Sequence, residues 1–220
     1  MNNHRPQKGH IGRGNAIDSG PYDVFYENMD EVWPSKPGRM VIAATELAAN
    51  GRALDAGCGD GKNAIYLTSR GWHVDAFDIS VKAEAACHRR CMAAQTTNCN
   101  VFRADARTIE LSGQVYDLIV AYGLYHCLSD LGLAQAHRRL SDSLRVNGLF
   151  AIATFNDTMP LPKGHSTPGL VLRPKNHIFM LFEKWEVVSH QFGIIKEYHL
   201  PVIGEHEHAL TWALLRKLHP

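Results

Sequence analysis

The 220-residue sequence has no uninterrupted apolar run near the ~20 residues that a membrane-spanning helix requires. It also lacks a charge excess, since 23 basic and 22 acidic side chains give a net charge of +1. Proteins that bind polyanions usually show a clustered basic excess. The two His-Arg-Arg runs in this chain fall in predicted helices and favour solvated faces. These absences argue against membrane and nucleic-acid partners.

Cysteine is also scarce for a secreted disulfide framework, because five cysteines in a chain of this size show no such pattern. The first 20 residues are polar and contain no apolar core of the secretory kind. Both features favour a reducing, cytoplasmic setting. We expect residues 1–37 to form an N-terminal leader and possible lid. Residues 38–220 are expected to form one domain that is monomeric or a weak homodimer.

Short apolar runs alternate with amphipathic helical patterns through residue 155. Strands are predicted at 52–57, 72–80, 100–105, 116–123 and 149–156, and helices at 36–51, 62–71, 81–95 and 132–148. This alternation predicts an α/β, doubly wound, Rossmann-like sheet with right-handed crossovers. A proline-containing loop over 157–176 and a short helix over 177–185 precede strand-like runs at 186–200 and 208–217. Their short connection requires antiparallel pairing, so we predict seven strands, mostly parallel, with a C-terminal antiparallel hairpin.

The stretch "LDAGCGDGKNA" follows the first strand, where open parallel sheets bind their ligands. Its glycines, Gly57, Gly59 and Gly61, run G-x-G-x-G and differ from the G-x-G-x-x-G dinucleotide fingerprint. Asp55 and Asp60 place carboxylates where a diphosphate would lie. The bend therefore favours a ligand with a cationic amino group. S-adenosylmethionine carries an ammonium and a sulfonium, and it has no phosphate.

Acidic residues also end the next two predicted strands. Asp78 ends the second strand and is placed to accept both ribose hydroxyls. Asp105 ends the third and is placed to accept a hydrogen bond from an adenine amino group. Ile79 would pack on the adenine ring, and Ala106 would offer a backbone group. Three aspartates at successive strand ends predict a nucleoside-binding edge.

At these residues the chain resembles class I S-adenosylmethionine-dependent methyltransferases. The segments "ALDAGCGDGKNA", "VDAFDIS", "FRADA", "YDLIVAYGLYHCL" and "LRVNGLFAIATF" resemble the five motifs of that class, over residues 38–156. The segments "YENMDEVWPSKPGRMVIAA", "GWHVDAFDIS" and "HEHALTWALLRK" resemble the small-molecule branch with tellurite-resistance and thiopurine-type methyltransferases. The resemblance implies methyl transfer to an oxygen, sulfur or chalcogen nucleophile, with S-adenosylhomocysteine as the second product. The expected cofactor-binding residues are Asp55, Gly57, Cys58, Gly59, Gly61, Asn63, Asp78, Ile79, Asp105, Ala106, Ala121, Tyr26 and Trp33.

The acceptor should approach the segment after the fourth strand, where Tyr122, Tyr125 and His126 are the catalytic candidates. Histidine titrates near neutrality and is the usual general base. In-line displacement on a sulfonium depends mainly on positioning and desolvation, so a base is needed only for a protonated acceptor. The alternative for His126 is a structural histidine. No "NPPY" or "DPPY" motif follows the strand, which argues against a nucleobase nitrogen as acceptor.

Two further groups of residues admit more than one interpretation. Tyr22, Tyr26 and Trp33 are expected either to cover the cofactor as part of a lid or to dock a helix on the sheet. His206 and His208 form an H-x-H pair that can chelate a metal from a strand, with His199 nearby. Without a third ligand at a recognisable spacing, we expect no metal and a polar wall of the acceptor pocket.

Two alternative functions stay open at this stage. An RNA or protein methyltransferase should show a basic channel or an added recognition domain, and neither is visible in the sequence. A protein of another class would bind S-adenosylmethionine without transferring its methyl group. The acceptor itself is not named by any motif.

Overall fold

The computed structural model describes residues 23–26, 36–161, 169–199 and 203–220. The helices are α1 (Asp23–Tyr26), α2 (Arg39–Leu47), α3 (Lys62–Ser69), α4 (Val81–Ala93), α5 (Asp130–Ser143) and α6 (His177–Leu181), with one 3-10 turn at Tyr125–Cys127. The strands are β1 (Arg52–Ala56), β2 (His73–Asp78), β3 (Cys99–Arg103), β4 (Tyr116–Tyr122), β5 (Leu144–Phe155), β6 (Glu186–His199) and β7 (Ile203–Arg216). No helix among these residues is long and apolar enough to cross a bilayer.

The seven strands form one sheet in the order β3-β2-β1-β4-β5-β7-β6. The first five pair in parallel, whereas β7 is antiparallel to both β5 and β6. This arrangement confirms the predicted fold. Because the strand order changes direction between β1 and β4, a crevice is expected beyond the carboxyl ends of these two strands.

The centre of the sheet is apolar on both faces because helices cover both. In β4, Leu118 and Val120 face a core that includes Leu67 and Trp72, which precede β2. The intervening Ile119 faces a second core with Leu140 of α5. Burial of the strands on both sides holds the carboxyl edge in a fixed geometry.

Several element boundaries differ from the prediction. The fourth predicted helix ends at Ser143, five residues early, because fully buried Leu144 pairs with Tyr116 and starts β5. Asn147 then adopts a left-handed φ of 66° within the irregular start of that strand. The helix predicted over 36–51 spans only Arg39–Leu47, and β7 begins at Ile203 rather than at 208. The last change matters most, because it places both His206 and His208 inside the strand.

Candidate active site

The glycine bend after β1 depends on backbone conformations that other residues resist. Gly57, Gly59 and Gly61 have φ angles of 69°, 56° and 85°. At Gly61, a Cβ atom would lie 2.5 Å from the Sγ atom of Cys87, so glycine lets the bend lie directly against α4. The backbone N–H groups of Gly57 and Cys58 both donate to the carbonyl of Phe77 at 2.9 Å. The bend is thus fixed to β2.

Asp55 is the penultimate residue of β1 and is 1% exposed. Within the described part of the chain, neither of its carboxylate oxygens has a hydrogen-bond partner. Burial raises the pKa of Asp55 to about 7, the charge of Asp78 adds to the rise, and the Ala64 N–H and Lys62 oppose it. The Ala64 N–H exerts this influence without reaching hydrogen-bond geometry. A buried carboxylate without hydrogen bonds is unfavourable, and a bound cation would compensate it.

Asp78 ends β2 and connects the strand to the glycine bend. Its Oδ2 atom accepts a hydrogen bond from the N–H of Gly59 at 3.0 Å, and Oδ1 accepts one from Ser80 at 2.9 Å. Burial raises the pKa of Asp78, and these hydrogen bonds oppose the rise. A carboxylate has about four acceptor positions, so Asp78 retains capacity for two further hydroxyl donors. The half-buried side chain of Ile79 follows it directly.

Asp105 has a different environment from the one predicted. Arg107 donates to both of its oxygens, from Nε at 2.9 Å to each and from Nη2 at 2.6 Å to Oδ2, and the Arg107 backbone N–H adds a fourth bond. Burial alone would raise the pKa of Asp105, but the bonds from Arg107 hold it below its ordinary value. Because three N–H groups of Arg107 engage both oxygens, the carboxylate is not available to an adenine amino group while Arg107 is in place.

Asp60 also has a partner that the sequence did not reveal. Its side chain is fully buried, and its Oδ2 atom lies 2.8 Å from Nη1 of Arg90. This ion pair compensates the charge that was expected to repel a diphosphate. The electrostatic preference for a cationic ligand therefore depends on Asp55 and Asp78.

The other predicted cofactor residues form the walls of the bend. Asn63 accepts a hydrogen bond from the backbone N–H of Gly38 at 2.8 Å, which fastens the start of α2 to α3. Cys58 and Ala106 are buried in opposite cores, and Ala121 is fully buried in β4. These residues shape the site through backbone position rather than through exposed side chains.

The N-terminal segment is described only over α1, where Tyr26 is 7% exposed. Asp23 accepts a hydrogen bond from the hydroxyl of Ser80, two residues after Asp78, so α1 lies at the edge of the site. Tyr22, Trp33 and the side chain of His199 lie outside the described residues. Tyr26 thus supports a docked helix, and the lid stays a prediction.

Two of the three catalytic candidates occupy structural positions instead. The hydroxyl of Tyr122 accepts a hydrogen bond from the N–H of Met40 at 2.8 Å, and its ring fills the space beside Gly38. Tyr125 is 1% exposed, and its hydroxyl lies 3.1 Å from Nδ1 of His137 in the core. Burial raises the pKa of both phenols. Both tyrosines thus have packing roles, and a catalytic role for either stays a prediction.

His126 lies at the carboxyl edge, but the lone pair on its Nδ1 atom is already engaged by a backbone N–H group. Its Nδ1 atom accepts a hydrogen bond from the N–H of Phe155 at 3.1 Å, so the neutral ring carries its proton on Nε2. The ring stacks on Phe155 at 3.9 Å, and Phe155 stacks on His208 at 4.0 Å. His126 is thereby held as a hydrogen-bond donor.

The side chains of Lys62 and Glu197 interact in a way that the sequence does not indicate. Burial lowers the pKa of the Lys62 ammonium, and the charges of Asp60, Glu197 and Asp55 oppose this change. Glu197 lies in the β6–β7 hairpin, which extends past the end of β5, since Phe155 pairs with Leu210. The hairpin therefore brings a carboxylate toward the first turn of α3. No local pattern signals this contact, because the two residues are far apart in the chain.

The strand order, the antiparallel hairpin and the glycine bend beside two strand-end carboxylates define a class I methyltransferase fold. Residues 53–148 match the model of the family described as a methyltransferase domain. Residues 53–148 of this chain are thus similar to a methyltransferase domain.

Solved structures show the same fold. TehB from Haemophilus influenzae superimposes with a TM-score of 0.70 and 19% identity, over 90% of this chain and 67% of that one. A structure from work on the conversion of a disulfide bond into a thioacetal group during echinomycin biosynthesis gives 0.65 and 21% identity, over 83% and 82%. Phosphoethanolamine N-methyltransferase 2 of Haemonchus contortus, solved with S-adenosylhomocysteine, gives 0.66 and 14% identity, over 90% and 56%. At these identities the likeness establishes the fold alone.

Proposed function

We propose that this domain transfers the methyl group of S-adenosylmethionine to an oxygen, sulfur or chalcogen atom of a small molecule by in-line displacement. The observation that carries the proposal is the buried carboxylate of Asp55, without a hydrogen-bond partner in the described part of the chain. It stands at the strand end next to Asp78 and the glycine bend. The bound cofactor supplies an electrophilic methyl group whose departure from sulfur leaves a neutral sulfide.

Different residues at this edge of the sheet would contact different parts of the cofactor. Asp55 would pair with the cofactor ammonium, which would restore a counter-charge to its buried carboxylate and lower its pKa. Asp78 would accept the ribose hydroxyls with the acceptor positions that Gly59 and Ser80 leave unused. Ile79 would cover the adenine ring. Backbone groups near Ala106 would contact the amino edge of adenine, since Arg107 occupies the Asp105 carboxylate.

The acceptor side works by orientation and exclusion of water in this proposal. His126 presents Nε2–H as a donor beside the end of β4, while the β6–β7 hairpin covers the edge beyond β5. Holding the acceptor in line and dry supplies much of the rate acceleration in such a displacement. A sulfur acceptor agrees with the disulfide chemistry described for the echinomycin-related structure. A cytoplasmic monomer or weak homodimer stays our prediction.

Calorimetry with S-adenosylhomocysteine tests the cofactor half of the proposal. Asp55→Asn should weaken binding by about 30-fold or more, because loss of one partner of a buried charge pair costs roughly 2–5 kcal/mol. Asp117→Asn is the matched control, since Asp117 pairs with Arg145 at the amino end of β4. Equal affinity of wild type and Asp55→Asn would remove Asp55 from the site.

Mass spectrometry tests the transfer half. The protein is incubated with methyl-deuterated S-adenosylmethionine and a panel of thiols, phenols, carboxylates and chalcogen oxyanions. A product that gains one labelled methyl group supports the proposal and identifies the nucleophilic atom. Tight cofactor binding with no labelled product across the panel would instead favour a protein that binds the cofactor without transferring its methyl group.

A further inference from the structure

The β6–β7 hairpin brings together three metal-ligating side chains that are not part of the cofactor site. His206, His208 and Glu197 each offer one ligand atom, and these atoms all lie within 4.8 Å of one another. The Nε2 atom of His208 lies 3.6 Å from Oε2 of Glu197. A tetrahedral ion with bonds near 2.0–2.1 Å separates its ligand atoms by about 3.3 Å. Small side-chain rotations would therefore close the cluster around one ion.

Strand geometry explains why these residues converge. Residues two apart in a strand share a face, so His206 and His208 point to the same side of β7. Glu197 pairs directly with His206 across the hairpin, which places the two side chains on one face at neighbouring positions. The structure thus supplies the third ligand that no spacing in the sequence revealed.

The imidazole of His206 is also oriented as that of a metal ligand usually is, and the ring of His208 is fixed by packing. The Nδ1 atom of His206 lies 2.7 Å from the carbonyl of Gly204, which fixes Nδ1 as the protonated nitrogen and Nε2 as the one with a lone pair. A backbone carbonyl bound to the far nitrogen is a common second contact of metal-bound histidine. His208 is 3% exposed, and its ring stacks on Phe155. Both rings are therefore held in place before any ion arrives.

The location of the cluster connects it with the reaction. The described hairpin residues 195–199 and 203–208 extend beyond the end of β5, at the edge where β1 and β4 also end. Glu197 is close enough to Lys62 to influence its pKa, and Lys62 starts the helix after the glycine bend. The cluster thus lies on the hairpin side of the edge that the acceptor approaches.

We propose that Glu197, His206 and His208 bind one divalent transition-metal ion of the zinc type, with a coordination position left for the acceptor. Two nitrogen ligands and one carboxylate leave a fourth position, as in catalytic zinc sites. A thiolate or oxyanion acceptor is a suitable ligand for that position. The assignment of the open position to the acceptor rests on the proposed function, whereas metal binding itself does not.

Cobalt titration of the tag-free, chelator-treated full chain tests the site, because Co²⁺ in a zinc-type site has visible absorption bands. We expect one equivalent of Co²⁺ to bind with a tetrahedral-type spectrum and to be displaced by Zn²⁺. Glu197→Gln and His206→Ala should each weaken Co²⁺ binding by more than about 10-fold, the lower limit for loss of a mere outer-shell contact. No saturable binding by wild type would overturn the proposal.

Matched controls exclude general histidine binding and unfolding. Glu207→Gln and His190→Ala change exposed residues of the same hairpin and should leave Co²⁺ affinity unchanged. Equal weakening by the controls would overturn the proposal. Glu197→Gln alters a half-buried side chain, and its circular dichroism and melting temperature show that the hairpin persists.

A second titration separates this proposal from the proposed function. S-adenosylhomocysteine binding is measured on the same samples, with and without metal. Binding of the cofactor product without Co²⁺ binding would overturn the metal site alone. Co²⁺ binding without affinity for S-adenosylhomocysteine would overturn the proposed function and keep the metal site. Displacement of a Co²⁺-bound solvent band by a thiol would support the open position, and an unchanged spectrum at saturating thiol would contradict it.

Discussion

The two sides of the carboxyl edge are built in different ways. On the cofactor side, Asp55, the three glycines and Asp78 lie within 24 consecutive residues, each at the end of a strand or in the bend between β1 and α3. On the side proposed for the acceptor, His126 comes from the 3-10 turn after β4, whereas Glu197, His206 and His208 come from the later β6–β7 hairpin. The first side is specified by local backbone geometry and the second by strand register. The cofactor side is therefore the part that sequence patterns predict best.

The largest effect should come from the charge that the cofactor side holds without a partner. Burial raises the pKa of Asp55 to about 7 from 3.8 in an unfolded chain. The folded state thus binds the extra proton between these values, so its stability falls as the pH rises from about 4 to 7. Asp55→Asn should raise the free energy of unfolding of the cofactor-free protein at pH 8 by up to about 4 kcal/mol.

Urea denaturation at pH 4.5 and pH 8 checks this prediction. The difference in free energy of unfolding between Asp55→Asn and wild type should decrease toward pH 4.5, because the wild-type carboxyl is protonated there in the folded protein. If Asp55→Asn is less stable than wild type at pH 8, the charge of Asp55 already has a stabilising partner in the cofactor-free protein. Asp117→Asn serves as the control for a carboxylate that already has a cationic partner, Arg145.

Gly61→Ala should be the next largest effect. The φ of 85° is strained for alanine, and the added Cβ would lie 2.5 Å from the Sγ atom of Cys87. We expect a loss of about 2–3 kcal/mol in the free energy of unfolding, from strain and from overpacking against α4. Gly204→Ala is the control, because a Cβ there would meet no atom within 4 Å. Similar melting temperatures of the two variants would contradict the tight approach of the bend.

Asp78→Asn should weaken S-adenosylhomocysteine binding by about 1–3 kcal/mol, measured by calorimetry. The amide retains one acceptor oxygen but replaces the other with a donor, which disrupts the bonds to Gly59 or Ser80 and those expected with ribose. If adenosine lacking both ribose hydroxyls binds wild type as well as adenosine does, the role of Asp78 toward ribose is wrong. Because that comparison changes the ligand and not the protein, the conformation of the glycine bend stays the same.

What the sequence could predict follows the same division. Asp55, Gly57 and Asp78 were identifiable because a strand followed by glycines and an acid at the next strand end form a local pattern. Arg107 stands two residues after Asp105, yet nothing in the sequence indicates that its side chain turns back and saturates the carboxylate. Glu197 and His206 become neighbours only through hairpin register, which shifts every cross-strand pair if it slips by one residue.

The acceptor side offers the smallest predicted effect. Tyr122→Phe removes the hydroxyl that accepts from the Met40 N–H, and this should cost about 1 kcal/mol of stability. Turnover on an identified acceptor should change less than about twofold, since the Tyr122 hydroxyl fastens α2 through the N–H of Met40. A loss of turnover beyond tenfold with unchanged stability would support a catalytic role for Tyr122.

The affinity of wild-type protein for S-adenosylhomocysteine as a function of pH tests most directly whether Asp55 binds the amino group of the cofactor. If the ionised carboxylate is required, the affinity should fall about tenfold for each pH unit below about 7, and Asp55→Asn should show weak, pH-independent binding over this range. A wild-type affinity that stays constant from pH 7 to pH 5.5 would contradict the account.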